Sequence, residues 1–104
     1  MARIQHNSLT SKELTRVARA LGNPARVAIL EFLRDGEQCV CRIQPEIGLD
    51  MSTVSRHLAQ LRDAGLIEDE RRGAKVFYRL VDPEAVSDLL DALGRIATCI
   101  GVPR

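Results

Sequence analysis

Apolar residues recur along most of this chain at a spacing that predicts helices. Between residues 51 and 63, Val54, Leu58 and Leu61 stand at positions i, i+4 and i+7, so they share one side of a helix. The other side is polar and carries Ser52, Ser55, Arg56, Gln60 and Asp63. Such a hydrogen-bonding surface is suited to reading base edges in a DNA major groove. An ordinary solvated helix face has the same pattern, so the neighbouring segments must distinguish a DNA-reading helix from a surface helix.

Capping signals mark where the helices begin. Asp50 is placed to cap the helix with the polar face. A Thr-x-x-Glu pattern at Thr10 predicts a capping box at the start of a first helix that runs to about residue 20. Asn23-Pro24 predicts a second helix, which is apolar around much of its circumference and is expected to be central. Residues 1–9 show no clear periodicity and are predicted to be a flexible arm.

Residues 38–64 are predicted to form a helix-turn-helix. Val40, Ile43 and Ile47 keep helical spacing, but Pro45 removes a backbone hydrogen bond, so this helix is expected to be short or irregular. A tight connection that contains glycine then leads into the helix with the polar face. Two helices joined in this way predict a DNA-binding arrangement.

A β-hairpin is predicted over residues 66–80. It follows Gly65, which ends the helix with the polar face, the predicted reading helix of residues 51–63. The pattern there changes to period two on either side of Arg72-Gly73-Ala74. A hairpin in this position is a wing, and its tip carries Arg71, Arg72 and Lys75 for phosphates or the minor groove. Solvated hairpin tips often carry charge as well. Beside a helix-turn-helix we favour the interpretation as a DNA contact.

A last helix is predicted over residues 83–98, after the capping pair Asp82-Pro83. Its apolar stripe is long, and together with that of the first helix it exceeds what one small core needs. Dimerisation through these two helices is the interpretation we favour, and packing within one chain is the alternative. The predicted fold class is mainly α with a small β-hairpin (α+β), a winged helix-turn-helix in a single domain of 104 residues.

Amino-acid composition excludes fewer classes of function than the spacing of apolar and polar residues does. The formal net charge is only +1, so bulk charge does not indicate a nucleic-acid partner, although basic residues cluster between residues 56 and 79. No apolar run approaches the roughly 18 residues of a membrane span, and no signal peptide is evident, so we expect a cytoplasmic protein without a membrane partner. With no βαβ pattern, no acid–base constellation and two histidines, we expect no enzyme.

The cysteines carry the most reactive chemistry in the chain. Three cysteines without a secretion signal argue against a disulfide scaffold and favour thiols that react or bind metal. Cys39 and Cys41 are separated by one residue, and on a regular helix their side chains diverge by about 200°. They can hold the same soft ion only where the backbone is distorted or at a helix end.

The chain resembles the ArsR/SmtB family of small winged-helix repressors. The resemblance lies in residues 20–30 (ALGNPARVAIL), in Cys39-Val-Cys41 and in residues 52–66 (STVSRHLAQLRDAGL), which lead into the wing. It covers roughly residues 10 to 97. It implies the order α1-α2-α3-αR-wing-α5, a homodimer through the first and last helices, and release of double-stranded operator DNA when an inducer binds.

The resemblance also implies which residues touch DNA. Reading-helix residues would face bases or nearby phosphates and wing residues would hold the backbone, a set that comprises Ser52, Thr53, Ser55, Arg56, His57, Gln60, Arg71, Arg72 and Lys75. Arg56 is the first choice for guanine, and Gln60 can pair with adenine. His57 lies between the two helix faces, where a local hydrogen bond is favoured over a metal ligand and a phosphate contact is the other option.

The Cys-Val-Cys segment resembles the As(III)/Sb(III) site of the arsenical repressors, where three thiolates bind the inducer. In that arrangement a third cysteine follows, but here its place is taken by Gln44. Cys99 is the one remaining candidate for the third ligand, with an inert thiol as its alternative. We therefore predict As(III) or Sb(III) as inducer, bound by Cys39, Cys41 and Cys99, and no tightly bound cofactor.

Other inducers remain open within the family. A Cd(II)/Pb(II) site usually adds thiolates from the N-terminal arm, which here offers only His6. The zinc site on the last helix of other members needs histidine, which that helix lacks, so we do not expect zinc sensing there. A redox or sulfide response would pair Cys99 with Cys39 or Cys41.

Overall fold

Five helices and a three-stranded antiparallel sheet make up residues 8–100, the part of the chain that this computed structural model describes, with side chains described for residues 11–98. In chain order the elements are α1 (Ser8–Ala20), α2 (Pro24–Leu33), β1 (Gln38–Cys39), α3 (Val40–Ile47), α4 (Met51–Asp63), β2 (Ile67–Arg72), β3 (Lys75–Leu80) and α5 (Pro83–Ile100). The predicted winged helix-turn-helix order is confirmed, since α3 and α4 form the helix-turn-helix and β2 and β3 form the wing.

Side-chain caps begin three of the helices where the sequence predicts them. The Asn23 side chain accepts from the amides of Ala25 and Arg26 at 2.8 and 3.2 Å. The Asp50 carboxylate accepts from the Thr53 amide at 2.7 Å. In the same way, the carboxylate of Asp82 accepts from the Ala85 amide at 3.0 Å. Each cap satisfies amides that the helix itself leaves without a partner.

The start of α1 differs from the prediction. The helix begins at Ser8, so Thr10 lies inside it, and a capping box at Thr10 is wrong. Neither Ser8 nor Leu9 is a helix breaker, so the first turn extends by two residues. Residues 1–7 of the predicted arm lie outside the described residues.

Helix α3 is short, as predicted, but it is continuous across Pro45. In an α-helix the amide of residue 45 would bond to the carbonyl of residue 41, so Pro45 costs this helix one backbone hydrogen bond. The amide of Gly48 still reaches the Gln44 carbonyl at 2.9 Å, and Gly48 ends the helix with φ 81°. The prediction of a short or irregular helix is therefore confirmed in its first form: α3 has eight residues, and the bond missing at Pro45 does not interrupt it.

The sheet has one strand more than predicted. Its order is β1-β3-β2, with Cys39 opposite Phe77 and Ile67 opposite Leu80. Arg72 pairs with Lys75 as the last residue of β2, so the wing turn has two residues rather than the three predicted. β1 is only two residues long, and so short a strand has no periodicity to detect.

An aliphatic core lies beneath α4 and joins the helices to the sheet. Its most deeply buried side chains are Ile29, Leu30, Leu33, Ile43, Val54, Leu58, Leu61 and Ile67. The terminal helices contribute less to it. Val86 and Leu90 of α5 are buried, whereas Leu14 is 59% exposed, Leu93 38% and Ile96 56%. Much of the apolar surface of α1 and α5 is thus not used within one chain. No helix in residues 8–100 has the length and apolarity that a membrane crossing requires.

We expect Leu58→Ala to lower the free energy of unfolding by about 2–5 kcal/mol, because a fully buried leucine leaves a cavity when truncated. Met51→Ala, on an exposed side chain of the same helix, should change it by about 0.5 kcal/mol or less. Urea denaturation followed by circular dichroism measures both. Equal losses in the two variants would contradict this account of how α4 is anchored.

Candidate nucleic-acid interface and thiol site

The core fixes which side of α4 faces outward. Val54, Leu58 and Leu61 are buried, as the sequence predicts. On the opposite side Ser52, Ser55, Arg56 and Gln60 are exposed, while Thr53 and His57 are half-buried. The predicted reading residues therefore lie on one helix and most of them are open to a partner.

Arg26, which sequence reasoning missed, ties α4 to the first two helices. Its Nε donates to the Ala20 carbonyl at 2.7 Å and its Nη2 to the Arg19 carbonyl at 3.2 Å. Its Nη1 donates to Oε1 of Gln60 and lies 3.2 Å from Nδ1 of His57. The two α4 partners are 31 and 34 residues away along the chain, so no local pattern could have found this contact.

These contacts define how Gln60 and His57 are presented. The Gln60 oxygen has two lone pairs, so the bond from Arg26 leaves one acceptor site and the amide nitrogen for a base edge. Arginine only donates hydrogen bonds, so Nδ1 of His57 accepts and the ring proton is on Nε2. Burial, followed by the charges of Arg26 and Arg56, lowers the pKa of His57 below its ordinary value of 6.5. The local hydrogen bond matches our expectation for His57, and its contact with DNA stays a prediction.

The basic residues of the wing fall into two groups. Arg72 reaches both carboxylate oxygens of Glu37 at 2.8 Å and Oε1 of Glu70 at 3.0 Å, and it lies 4.5 Å over the ring of Phe77. Arg79 extends this ion network, with contacts of 2.9 to 3.2 Å to Glu68, Glu37 and Glu70.

The other two wing cations are unpaired. Arg71 and Lys75 are exposed and form no ion pair with any side chain of residues 11–98. Arg72, by contrast, holds the pKa values of Glu37 and Glu70 below their usual range, and its own positive charge is compensated by these two carboxylates. Of the three wing cations predicted to meet phosphates, Arg71 and Lys75 are the two with a free charge.

The thiol pair sits where β1 meets α3. Cys39 has an extended backbone (φ −68°, ψ 145°) and caps α3, while Cys41 lies in the first turn of that helix. The two Cα atoms are 5.1 Å apart, and the two sulfurs are paired as a disulfide. The Cys41 amide donates to Sγ of Cys39 at 3.1 Å. The sulfurs thus converge at a helix end, which is one of the two conditions under which they can hold one ion.

A third ligand for that ion is not supplied by the described side chains. Among residues 11–98 no group of three or more His, Cys, Asp or Glu side chains is arranged to hold a metal. The backbone of Cys99 belongs to α5, but its side chain lies outside the described residues, as does His6. The pair itself has one buried and one exposed member, Cys39 and Cys41, so a ligand can approach from the solvent side.

A reading helix on an aliphatic core, followed by a basic hairpin, defines a winged helix-turn-helix, a class of domain that binds nucleic acid. Residues 23–69 match the family model described as "Bacterial regulatory protein, arsR family". The NmtR transcriptional regulator of Mycobacterium tuberculosis is 35% identical over 85 residues, which are 82% of this chain and 70% of that protein. The chain belongs to the arsR family of bacterial regulatory proteins.

Two further relatives are informative. The arsenic resistance transcriptional regulator ArsR1 of Pseudomonas putida is 46% identical over 69 residues, 66% of this chain and 52% of ArsR1, so the chain spans about half the length of that relative. A solved structure, the homodimeric winged helix-turn-helix DNA-binding domain Mb0332 of Mycobacterium bovis, superposes with a TM-score of 0.81 at 31% identity, covering 94% of this chain and 91% of that one. The relatives are named as regulators, which agrees with our expectation that the chain is not an enzyme.

We expect the folded-state pKa of His57 to lie below 6.5, because burial and two neighbouring arginines disfavour its charged form. The unfolded chain then binds more protons, so His57 lowers stability as pH falls through its unfolded pKa, and stability recovers as pH rises above it. NMR titration of the ring measures the pKa, and urea unfolding between pH 5 and about pH 7.5 measures the linkage. His57→Gln should flatten that part of the profile; an unchanged profile would contradict the assignment.

Proposed function

We propose that this protein is a transcriptional repressor that acts in the cytoplasm, binds operator DNA as a homodimer and releases it when As(III) or Sb(III) binds its cysteine thiolates. The convergence of Cys39 and Cys41 at the start of α3 carries the proposal. The name of ArsR1, an arsenic resistance regulator with 46% identity over 69 residues, supports arsenic as the inducer.

In this proposal α4 reads the major groove and the wing holds the backbone. Thr53, Ser55 and Arg56 meet base edges or nearby phosphates, and Arg56 binds guanine, since a guanidinium matches the two acceptors of that base. Gln60 reads adenine through its free acceptor site and amide nitrogen. Ser52 and His57 contact phosphates at the groove edge. The free charges of Arg71 and Lys75 bind the backbone, and Arg72 supports the strand that presents them.

The dimer forms through α1 and α5. Leu14, Leu93 and Ile96 expose apolar surface that a second copy would cover, and the related domain Mb0332 is homodimeric. A two-fold dimer presents its two reading helices about 34 Å apart, one turn of duplex.

We expect Ile96→Glu to convert the dimer to a monomer, because it places a charge in the covered surface while leaving the core of one chain unchanged. Val81→Glu is the matched control, since Val81 is also apolar and 47% exposed but lies between the wing and α5. Sedimentation velocity measures the outcome. A dimer in both variants would exclude this face as the interface.

The inducer chemistry follows from the donor set. Soft thiolates select soft or borderline ions, and the two sulfurs of Cys39 and Cys41 already share one side of the α3 terminus. With the pair reduced, arsenous acid exchanges hydroxides for thiolates: each As–S bond formed releases one water, and arsenic keeps its oxidation state. Cys99 supplies the third thiolate in this proposal, from the same or the partner chain.

The proposed switch works through two elements that Cys39 touches. Helix α3 packs beside α4, and the backbone of Cys39 pairs with Phe77 in the wing. When one ion binds both reduced thiolates, the two sulfurs are fixed around it, and both the reading helix and the wing are displaced from the spacing that matches DNA. A coupling of about 1–3 kcal/mol is typical of such allosteric effects.

We expect reduced wild-type protein to bind a duplex selected from a random library and to lose that affinity by about 5- to 150-fold in arsenite, the range of common allosteric couplings. Cys39→Ser/Cys41→Ser should bind the same duplex but no longer respond, because both thiolates are gone. Fluorescence anisotropy measures both.

Normal release by the double variant would overturn the inducer site. X-ray absorption of the arsenite-bound protein then tests Cys99. Three As–S bonds in wild type and two in Cys99→Ser support it as a ligand, and three in both would exclude it.

A redox response is the second candidate function, because Cys39 and Cys41 are paired with each other at the start of α3. Cys39 and Cys41 would lose two electrons and two protons to form the disulfide, while a low-molecular-weight disulfide accepts them and becomes two thiols. Oxidised glutathione in place of arsenite tests it: a change in DNA affinity that requires both cysteines supports a redox sensor, and an unchanged affinity excludes it.

A further inference from the structure

A second basic surface lies on the far side of α1 from its apolar stripe. At about 100° per residue, Lys12, Arg16 and Arg19 fall on one helix face, opposite Leu14 and Val17. All three basic side chains are exposed. This face is therefore not the surface that a second copy would cover through the apolar stripe, and its charge is open to a different partner.

This basic face continues into a hollow beside the reading helix. The hollow has a volume of about 360 Å³ and is lined by Arg16, Arg19 and Arg26 together with Gln60 and Asp63 of α4. A neighbouring hollow of about 390 Å³ shares Arg16 and Arg19 and adds Lys12. Gln60 belongs to both the hollow and the proposed reading surface, so the three arginines border the part of α4 that is assigned to DNA.

The charge of this hollow is largely uncompensated. Within the described side chains Arg16 and Arg19 form no ion pair, and the partners of Arg26 are two carbonyls, Gln60 and a neutral His57. Asp63 is the one carboxylate in the lining. Elsewhere Arg34, Arg62, Arg72 and Arg79 are each paired with carboxylates. Arg16 and Arg19 therefore leave two unpaired positive charges beside α4 in a chain whose net charge is only +1.

We propose that Arg16 and Arg19 bind backbone phosphates of the duplex whose major groove receives α4, which extends the interface to α1. The inference rests on the proposed DNA-binding function. Guanidinium groups match phosphate oxygens with two parallel hydrogen bonds, and the phosphates that border the groove run beside the helix that fills it. Arg26 is a positioning residue here, because its donors are used to hold Arg19, Ala20 and α4 together.

The dependence of DNA affinity on salt tests this contact directly. Each phosphate contact releases counterions, so the slope of log K against log [KCl] should become less steep by about 0.9 for each arginine lost, and by about 1.8 per protomer in Arg16→Gln/Arg19→Gln. The preference for the selected duplex over a scrambled one should not change, since phosphate contacts carry no sequence information.

Arg34→Gln/Arg95→Gln is the charge-matched control, on the α5 side of the molecule, and should leave the slope unchanged. Sedimentation velocity confirms that both variants have the wild-type assembly. A wild-type slope in Arg16→Gln/Arg19→Gln would overturn the inference while leaving the proposed function intact. A wild-type protein with no DNA affinity at low salt would instead overturn the proposed function.

Inorganic phosphate distinguishes a duplex contact from a small-anion site. Isothermal titration with phosphate alone should show no saturable binding, because one free ion does not replace a row of backbone phosphates. Saturable binding that is lost in Arg16→Gln/Arg19→Gln, together with an unchanged salt slope, would make the hollow a small-anion site and overturn its assignment to DNA.

Discussion

The extended backbone at Cys39 is the constraint on which the thiol site and its links to the rest of the fold depend. One residue ends β1, pairs with Phe77 of the wing and caps α3. Had the helix begun one turn earlier, Cys39 and Cys41 would point to different sides of it. Because it begins at Val40, the two sulfurs meet, and the element that holds them is bonded to the wing on one side and continues into the helix-turn-helix on the other.

The reading helix is held in two different ways. Its apolar side is buried in an aliphatic core, which fixes which face turns outward but is not directional. Arg26 adds direction, because its guanidinium bonds to the last carbonyls of α1 and to two α4 side chains. Packing therefore anchors α4, whereas the hydrogen bonds of Arg26 orient Gln60 and His57 on its surface.

Structural features that depend only on neighbouring residues could be predicted from the sequence. The caps Asn23, Asp50 and Asp82, the two faces of α4 and the hairpin each depend on residues within a few positions. The contacts of Arg26 with α4 and of Glu37 with the wing could not be predicted. Their partners lie 31 to 42 residues away, and arginine and glutamate are ordinary surface residues in any local pattern. The strand β1 was missed for the same reason: two residues become a strand only through their pairing with β3.

Glu37 extends the ion network from the wing to the residues next to the thiol pair. It stands just before β1, two residues from Cys39, and binds both Arg72 and Arg79. Exposed ion pairs add little stability on their own. The main effect of the network is therefore on the charge of the wing surface, because it determines which wing cations remain unpaired. Because the carboxylate of Glu37 compensates the charge of Arg72, Arg71 and Lys75 are the wing-tip cations whose charge stays free. Glu37 also connects β1 to the wing through side chains, in addition to the backbone pairing. In the proposed switch, a displacement at Cys39 would therefore reach the wing tip without passing through the reading helix, and the wing and the reading helix would respond separately to one thiol pair.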